Sequence, residues 1–299
     1  MKLRHLQCFI VVAEELHFAR AAERLHIEQS PLSRIIKKLE DDLGTMLFVR
    51  TTRNTRLTRA GEILLEQTPR IFSVLGQVRD SVKAVAAGFH SQLRIALSDG
   101  VTPSKLAELL AKCREDEPET DIRLHEVPLA QHMNGLRDNL FDVGFAQSTI
   151  VRDGIIAIPA WYDSLVAVIP ARHPLLAYKE LQLNEFLRYS LIVCGQETHE
   201  GFLKQVLSIF QNAKLVPYIS EKVASFDLLL TLVAAGYGIG VAGESQINLA
   251  RHGDGDVAIR PFAGGIPKLV TYMLRLDSPL TEELVRFKER VGNLYHNVY

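Results

Sequence analysis

Gln29, Ser30, Ser33, Arg34 and Lys37 put an amide, two hydroxyls and two cations into one short stretch. Groups of these types suit the edges of bases and the oxygens of phosphates. A side-chain amide pairs with adenine in two places, a guanidinium grips guanine or a phosphate, and a hydroxyl serves either. Further on, Arg50, Arg53, Arg56 and Arg59 stand among small threonines. A row of cations on a short ribbon reaches phosphates or an adjacent minor groove.

The elements that must position these groups follow from spacing. Ser30 reads as an N-cap with Pro31 at the first helical position, where a missing N–H costs nothing. Leu32, Ile35, Ile36 and Leu39 recur at helical spacing, so Ser30, Ser33, Arg34 and Lys37 fall on the opposite face, and Gly44 is a fitting stop. Phe18, Ala21, Ala22 and Leu25 predict a short helix before it. Leu3, Leu6, Phe9, Ile10 and Ala13 predict another before that. Arg53-Asn54 supplies the turn of a hairpin, because Asn tolerates a left-handed backbone. The sum is three helices and a basic wing, the arrangement in which the last helix enters a major groove.

A plain three-helix bundle with a solvated face is the alternative, and charge opposes it. Residues 1–60 hold 11 Lys and Arg against 7 Asp and Glu, a net of +4, whereas the whole chain is −1. A basic head on a near-neutral chain is the footprint of a nucleic-acid module.

Residues 1–61, which include HFARAAERLHIEQSPLSRIIKKLEDDLGTMLFVRTTRNTRLTRAG over 17–61, resemble the LysR-type transcriptional regulators closely, and the rest of the chain resembles them more loosely. The first stretch, MKLRHLQCFIVVAEELHFARAAERLH, looks most like the subgroup that controls aromatic-compound catabolism. The resemblance implies that Gln29, Ser30, Pro31 and Ser33 face bases, and that Arg34 and Arg53 hold the DNA backbone or minor groove. It implies an α+β multidomain chain: a winged helix-turn-helix over 1–58, a linker and dimerisation helix over 59–88, and an effector-binding domain over 89–299. The expected partners are double-stranded DNA, a small-molecule effector, RNA polymerase, and copies of the same chain as a dimer assembling to a tetramer. No enzymatic activity and no cofactor are expected.

The residues of the linker speak for themselves. Thr58 is the N-cap of a helix to about Ala87, and Leu64, Thr68, Ile71, Leu75, Val78, Val82 and Val85 alternate spacings of four and three. Such a heptad seam buries itself against a partner helix. A lone amphipathic helix packed on its own chain is the other reading. Pro69 should kink it near Leu65. Gly88 then begins a hinge.

Beyond residue 92, apolar runs of strand length alternate with helical patterns. That predicts parallel α/β layers covered on both faces. Some 210 residues suit two subdomains, the first about 91–161 and 268–299, the second about 162–267, with crossings near Trp161–Asp163 and Gly264–Lys268. This is a periplasmic-binding-protein-like layout, in which ligands sit beyond the carboxyl ends of strands. That rule nominates Ser98, Asp99 and Thr102, then Pro128 and Leu129, then Gln147 and Ser148, and finally Cys194, Gly195, His199 and Phe202. Family members that respond to carboxylated aromatic products often carry a hydroxyl residue in place of Pro128 and an arginine in place of Gln147. Both departures weaken the case for a dicarboxylate, and Asp99, Glu197 and Glu200 make the rim acidic.

Other chemistry is sparse. Cys8, Cys113 and Cys194 lack paired or metal-binding spacing, and with no signal-like or membrane-spanning run the expected location is the cytoplasm. Cys194 beside His199 hints at a redox switch, against the commoner inert thiol. The glycines of GYGIG, Gly236–Gly240, lie between helix and strand, the wrong order for a dinucleotide fingerprint. An enzyme or transport-type binding protein carrying a DNA-binding head is the rival from another class.

Overall fold

The computed structural model describes the chain apart from residues 51–54, 102, 149–153, 196–198, 251–255, 265–267 and 297–299; for 50, 103, 248–250 and 294–296 it describes the backbone alone. Two compact units divide it, Met1–Val82 and Lys83–Tyr299.

The first unit begins with α1 (Leu3–Glu15), α2 (Phe18–Arg24) and α3 (Gln29–Leu43). Leu6, Phe9 and Val12 of α1, Ala21 of α2, and Leu32, Ile36 and Leu39 of α3 close one core. Ala21 is wholly buried, so its methyl lets neighbouring backbones approach. Leu3, expected inside, is exposed, and Val12 takes the inner position. Helix α3 starts one residue before the expected cap. Glu28 is the N-cap, with no side-chain bond, and Pro31 falls within the first turn, where an N–H lacks a helical acceptor in any case. Gly44 ends α3 at φ +68°, as its position predicts.

The wing follows as β1 (Phe48–Arg50) and β2 (Thr55–Leu57), antiparallel, with Val49 opposite Arg56. Phe48 fixes it to the core, 5.5 Å from Phe9 and 5.9 Å from Phe18 between ring centroids. Thr58 caps α4 (Arg59–Ala86): its Oγ1 accepts the Gly61 N–H at 3.0 Å and donates to the Met46 carbonyl at 2.7 Å. Gly61 is required here, since a Cβ would lie 2.3 Å from the Leu47 carbonyl oxygen.

Helix α4 continues through Pro69, and the Thr68 hydroxyl donates to the Leu64 carbonyl at 2.6 Å. The heptad seam divides along its length. Leu64 and Ile71 pack against the core of their own unit, and Thr68 is fully buried. Leu75, Val78, Val82 and Val85 are exposed, Val85 at 71%.

The second unit holds two five-stranded sheets. The first comprises β3 (Ser91–Leu97), β4 (Thr120–Glu126), β5 (Val143–Ala146), β6 (Ile155–Asp163) and the C-terminal strand Leu269–Leu276. Helices α5 (Pro103–Asp116) and α6 (Leu129–Arg137) connect its early strands. The second sheet comprises β7 (Leu165–Pro170), β8 (Leu191–Cys194), β9 (Ile219–Val223), β10 (Ile239–Gly243) and β11 (Val257–Pro261). Between its strands run α7 (Leu183–Phe186), α8 (Glu200–Asn212), α9 (Phe226–Ala234) and α10 (Glu244–Ala250). The returning strand Leu269–Leu276 is β12, and α11 (Glu282–His296) follows.

The expected all-parallel layers are corrected to mixed sheets. Their orders are β4-β3-β5-β12-β6 and β11-β7-β10-β8-β9. In the first, β12 is antiparallel to both neighbours; in the second, β7 is. These are the strands by which the chain enters a sheet after crossing from the other one. Strand β6 does not follow from the sequence pattern. It carries Pro159, which argues against a central strand, and its register with β12 slips beside that residue, where Tyr272 pairs Pro159 and Thr271 pairs Trp161.

Candidate nucleic-acid interface and effector cleft

Gln29, Ser30, Arg34 and Lys37 are exposed on α3, Pro31 and Ser33 half-buried. Gln29, Ser30, Ser33, Arg34 and Lys37 line one open concavity of about 700 Å³, together with Glu40, Asp41 and Met46. Among the described residues Arg34, Lys37 and Arg56 form no ion pair, so their charge is available to an anion. Lys38, one position off this face, is spent on Asp42 at 3.0 Å, and Asp42 also meets the N-terminal amine at 2.8 Å. These partners hold the Asp42 carboxyl down at about 2. Glu40 does the positioning: buried, its Oε1 accepts the N–H groups of Leu47 and Phe48 at 2.9 and 3.2 Å and so ties the wing to α3. Arg53 lies outside the described residues, as does the Arg50 side chain.

In the second unit a cleft of about 590 Å³ opens beyond the carboxyl ends of β3 and β4. Of the nominated residues, Ser98, Asp99, Pro128 and His199 line it. Four others do not. Cys194 and Phe202 face the core of the second sheet, because the strand end and helix face that carry them point inward. Leu129, the first residue of α6, packs against the cluster of Met133, Leu136 and Leu274, and Gly195 lies against Leu203. Gln147 is buried beneath the cleft, its carbonyl taken by Gln205. Thr102 lies outside the described residues. The redox reading of Cys194 is opposed by the same burial, which pushes its thiol up to about 12.

Several bonds cross between the two sheets' halves. Asp99, at φ +64° and almost wholly buried, accepts the Gly201 N–H of α8 at 2.9 Å. Burial raises its carboxyl, and the backbone bonds of Gly201 and Gln147 oppose that rise. Gln246 donates to the Gly100 carbonyl at 3.0 Å and accepts the Gly243 N–H at 3.1 Å. Gln205 joins both backbone groups of Val270 at 2.7 and 2.8 Å. Gly201 is obligatory, since a Cβ there would lie 2.3 Å from Asp99 Oδ2. Burial lowers the pKa of His199, and Glu126 opposes the shift.

Two family models match this chain: the bacterial regulatory helix-turn-helix protein of the lysR family over residues 3–62, and the LysR substrate binding domain over residues 86–293. The chain belongs to the LysR family of transcriptional regulators. Like other members it is a regulator and not an enzyme. It is 34% identical over 239 residues to the regulator CatR of Pseudomonas putida, covering 80% of this chain and 81% of that one. With BenM of Acinetobacter baylyi it shares 30% over 241 residues, 80% and 79% of the two chains. The full-length structure of CbnR in complex with its target DNA matches with a TM-score of 0.81 at 27% identity, over 98% of this chain and all of that one. Both the winged helix-turn-helix and the two-part α/β effector domain of this LysR regulator are therefore those of its family.

The cleft residues that sequence reasoning missed are Leu97, Gly100, Val101, Leu106, Glu126 and Val127 from the first half, with Phe226 and Gln246 from the second. Five of the first six lie within two residues of nominated positions, and Leu106 follows Thr102 by four. The last two carry no local signal, since they start helices that reach the cleft only through the crossing of the chain.

Proposed function

We propose that this LysR regulator binds double-stranded DNA through Gln29, Ser30, Pro31, Ser33 and Arg34, with Lys37, Arg50, Arg53 and Arg56 on phosphates or the minor groove. A small molecule in the cleft controls it. The observation that carries the reading is that one cleft is walled by both halves of the effector domain, with hydrogen bonds already crossing between them. A ligand touching both halves favours one relative arrangement, and only such differential binding shifts a population. The exposed run of Leu75, Val78, Val82 and Val85 supports pairing of α4 with a second copy. A dimer presents two recognition helices to half-sites about one helical turn, or a multiple, apart. Dimers joining through their effector domains give a tetramer, and the change in DNA path alters access by RNA polymerase in the cytoplasm. No helix among the described residues is long and apolar enough to cross a membrane.

Val101→Trp tests the cleft. Val101 is nearly buried in its wall, so an indole there fills the space. Expected are a normal fold, unchanged basal DNA binding and a lost transcriptional response. A folded variant that still responds in full would place the effector elsewhere.

A further inference from the structure

His132 of α6 lies wholly buried beneath the cleft, and its Nδ1 is 2.9 Å from the hydroxyl of Ser98, which lines the cleft. Its other nitrogen, Nε2, has no polar partner and faces Gly144 of β5. The approach is so close that a Cβ on Gly144 would lie 1.8 Å from Nε2, so a Cα–H points at that nitrogen. A lone pair accepts such a contact weakly, whereas an N–H would meet hydrogen with hydrogen and stay an unsatisfied buried donor. The proton therefore sits on Nδ1 and is given to Ser98 Oγ. Burial holds the ring neutral, its pKa lowered to about 4. With Oγ accepting from beneath, the Ser98 proton is free to turn into the cleft, and the site offers a directed donor.

Charge narrows the choice further. Two carboxylates, Asp99 and Glu126, stand in the described lining, and neither lysine nor arginine does. The N-terminus of α8 would attract an anion, but Asp99 already occupies the Gly201 N–H, and Glu200 opens the helix. A carboxylate entering here meets like charge without a countercharge. A cation fares little better. Asp99 is buried, its Oδ1 held by the Gly201 N–H and its Oδ2 packed closely against Gly201, and Glu126 is exposed to water. The remaining wall is mostly apolar: Leu97, Val101, Leu106, Val127, Pro128 and Phe226, with His199, whose pKa burial lowers, and Gln246, which is bonded to Gly100 and Gly243, as its other polar side chains.

We infer that the effector is an uncharged small molecule with an apolar body and a hydrogen-bond acceptor such as a carbonyl oxygen, which takes the proton of Ser98, and that His132 is the residue that positions this hydroxyl. This rests on the cleft being the effector site. Calorimetric titration of the full-length protein tests it with matched probes on two bodies: benzamide, benzoate and benzylamine, and hexanamide, hexanoate and hexylamine. On at least one body the amide should bind at least tenfold more tightly than its carboxylate and its amine. Ser98→Ala should weaken the amide at least fivefold, and Asp99→Asn should narrow the gap between amide and carboxylate. A carboxylate or amine that binds as tightly as the amide overturns the inference, as does failure of both amides to bind, or a folded Ser98→Ala protein that binds them unchanged. The wild-type series needs no variant, so the comparison of amide with carboxylate and amine decides the ligand class even where a substitution unfolds the protein. Val101→Trp separates the two readings. A carboxylate that binds as tightly as the amide and is blocked by Val101→Trp refutes the ligand class and leaves the cleft as effector site. A probe bound equally by the folded Val101→Trp protein refutes both.

Discussion

Replacing Glu40 with alanine should loosen the wing while leaving the three helices in place. The Glu40 side chain is 4% exposed, and one oxygen accepts two N–H groups, from Leu47 at 2.9 Å and Phe48 at 3.2 Å. Both donors belong to buried residues, so truncation leaves them without a partner. Each unsatisfied buried donor costs roughly 1–3 kcal/mol, and water entering the space left behind returns part of that, for a net of about 2–4 kcal/mol. On the scale of 1.36 kcal/mol per factor of ten, amide exchange at Leu47 and Phe48 should accelerate by about 30- to 1000-fold. Hydrogen–deuterium exchange on peptides spanning 45–50 of the full-length protein reads this directly, while peptides from α1 should change far less. Glu40→Gln keeps an acceptor oxygen at the same reach, so most of the protection should remain. Protection at Leu47 and Phe48 within threefold of wild type in Glu40→Ala would refute the assignment of Glu40 as the tie between α3 and the wing.

Three further outcomes are expected. Arg34→Ala should weaken binding to all DNA sequences alike and flatten the salt dependence by about one unit of slope, whereas Ser33→Ala and Gln29→Ala should reduce discrimination between sites; competition binding at several salt concentrations separates the two effects. Leu75→Asp with Val78→Asp sets like charges into the exposed part of the α4 seam, where the native side chains are 40% and 57% exposed; sedimentation at micromolar concentration should show smaller species, and an unchanged oligomer would contradict pairing there. His132 titrates near 6.5 when unfolded and about 4 when folded, so its contribution to stability is present above pH 6.5 and is lost as pH falls from there toward 4; urea unfolding of the wild type should weaken over that window, and His132→Gln should remove part of the slope.

Sequence periodicity revealed what local chemistry dictates. The inner stripe of α3, the Gly44 stop and the Thr58 cap were all legible, because each depends on neighbours a few residues away. Features set by distant partners were not. Pro159 hid β6, since a proline marks a strand only once its bulge is seen against β12. The heptad of α4 looked uniform, yet the folded helical head claims Leu64 and Ile71 and leaves the later positions exposed. In the effector domain, Ser98, Asp99 and Pro128 follow from the rule of strand carboxyl ends. Cys194 and Phe202 failed that rule because their side chains turn to the other face. His132 gave no signal at all: one histidine in a helix acquires meaning only when Gly144 and Ser98 are packed on its two nitrogens.

Selection of duplexes from a random-sequence DNA pool by the full-length protein, at about 0.15 M salt, tests the central claim most directly. The account predicts recovery of one recurrent motif with twofold symmetry, its half-sites separated by about one helical turn or a multiple of it, and loss of that motif's enrichment with Ser33→Ala and Gln29→Ala together. Recovery of no motif above the random pool, or of the same motif with equal enrichment by the folded double variant, would contradict it.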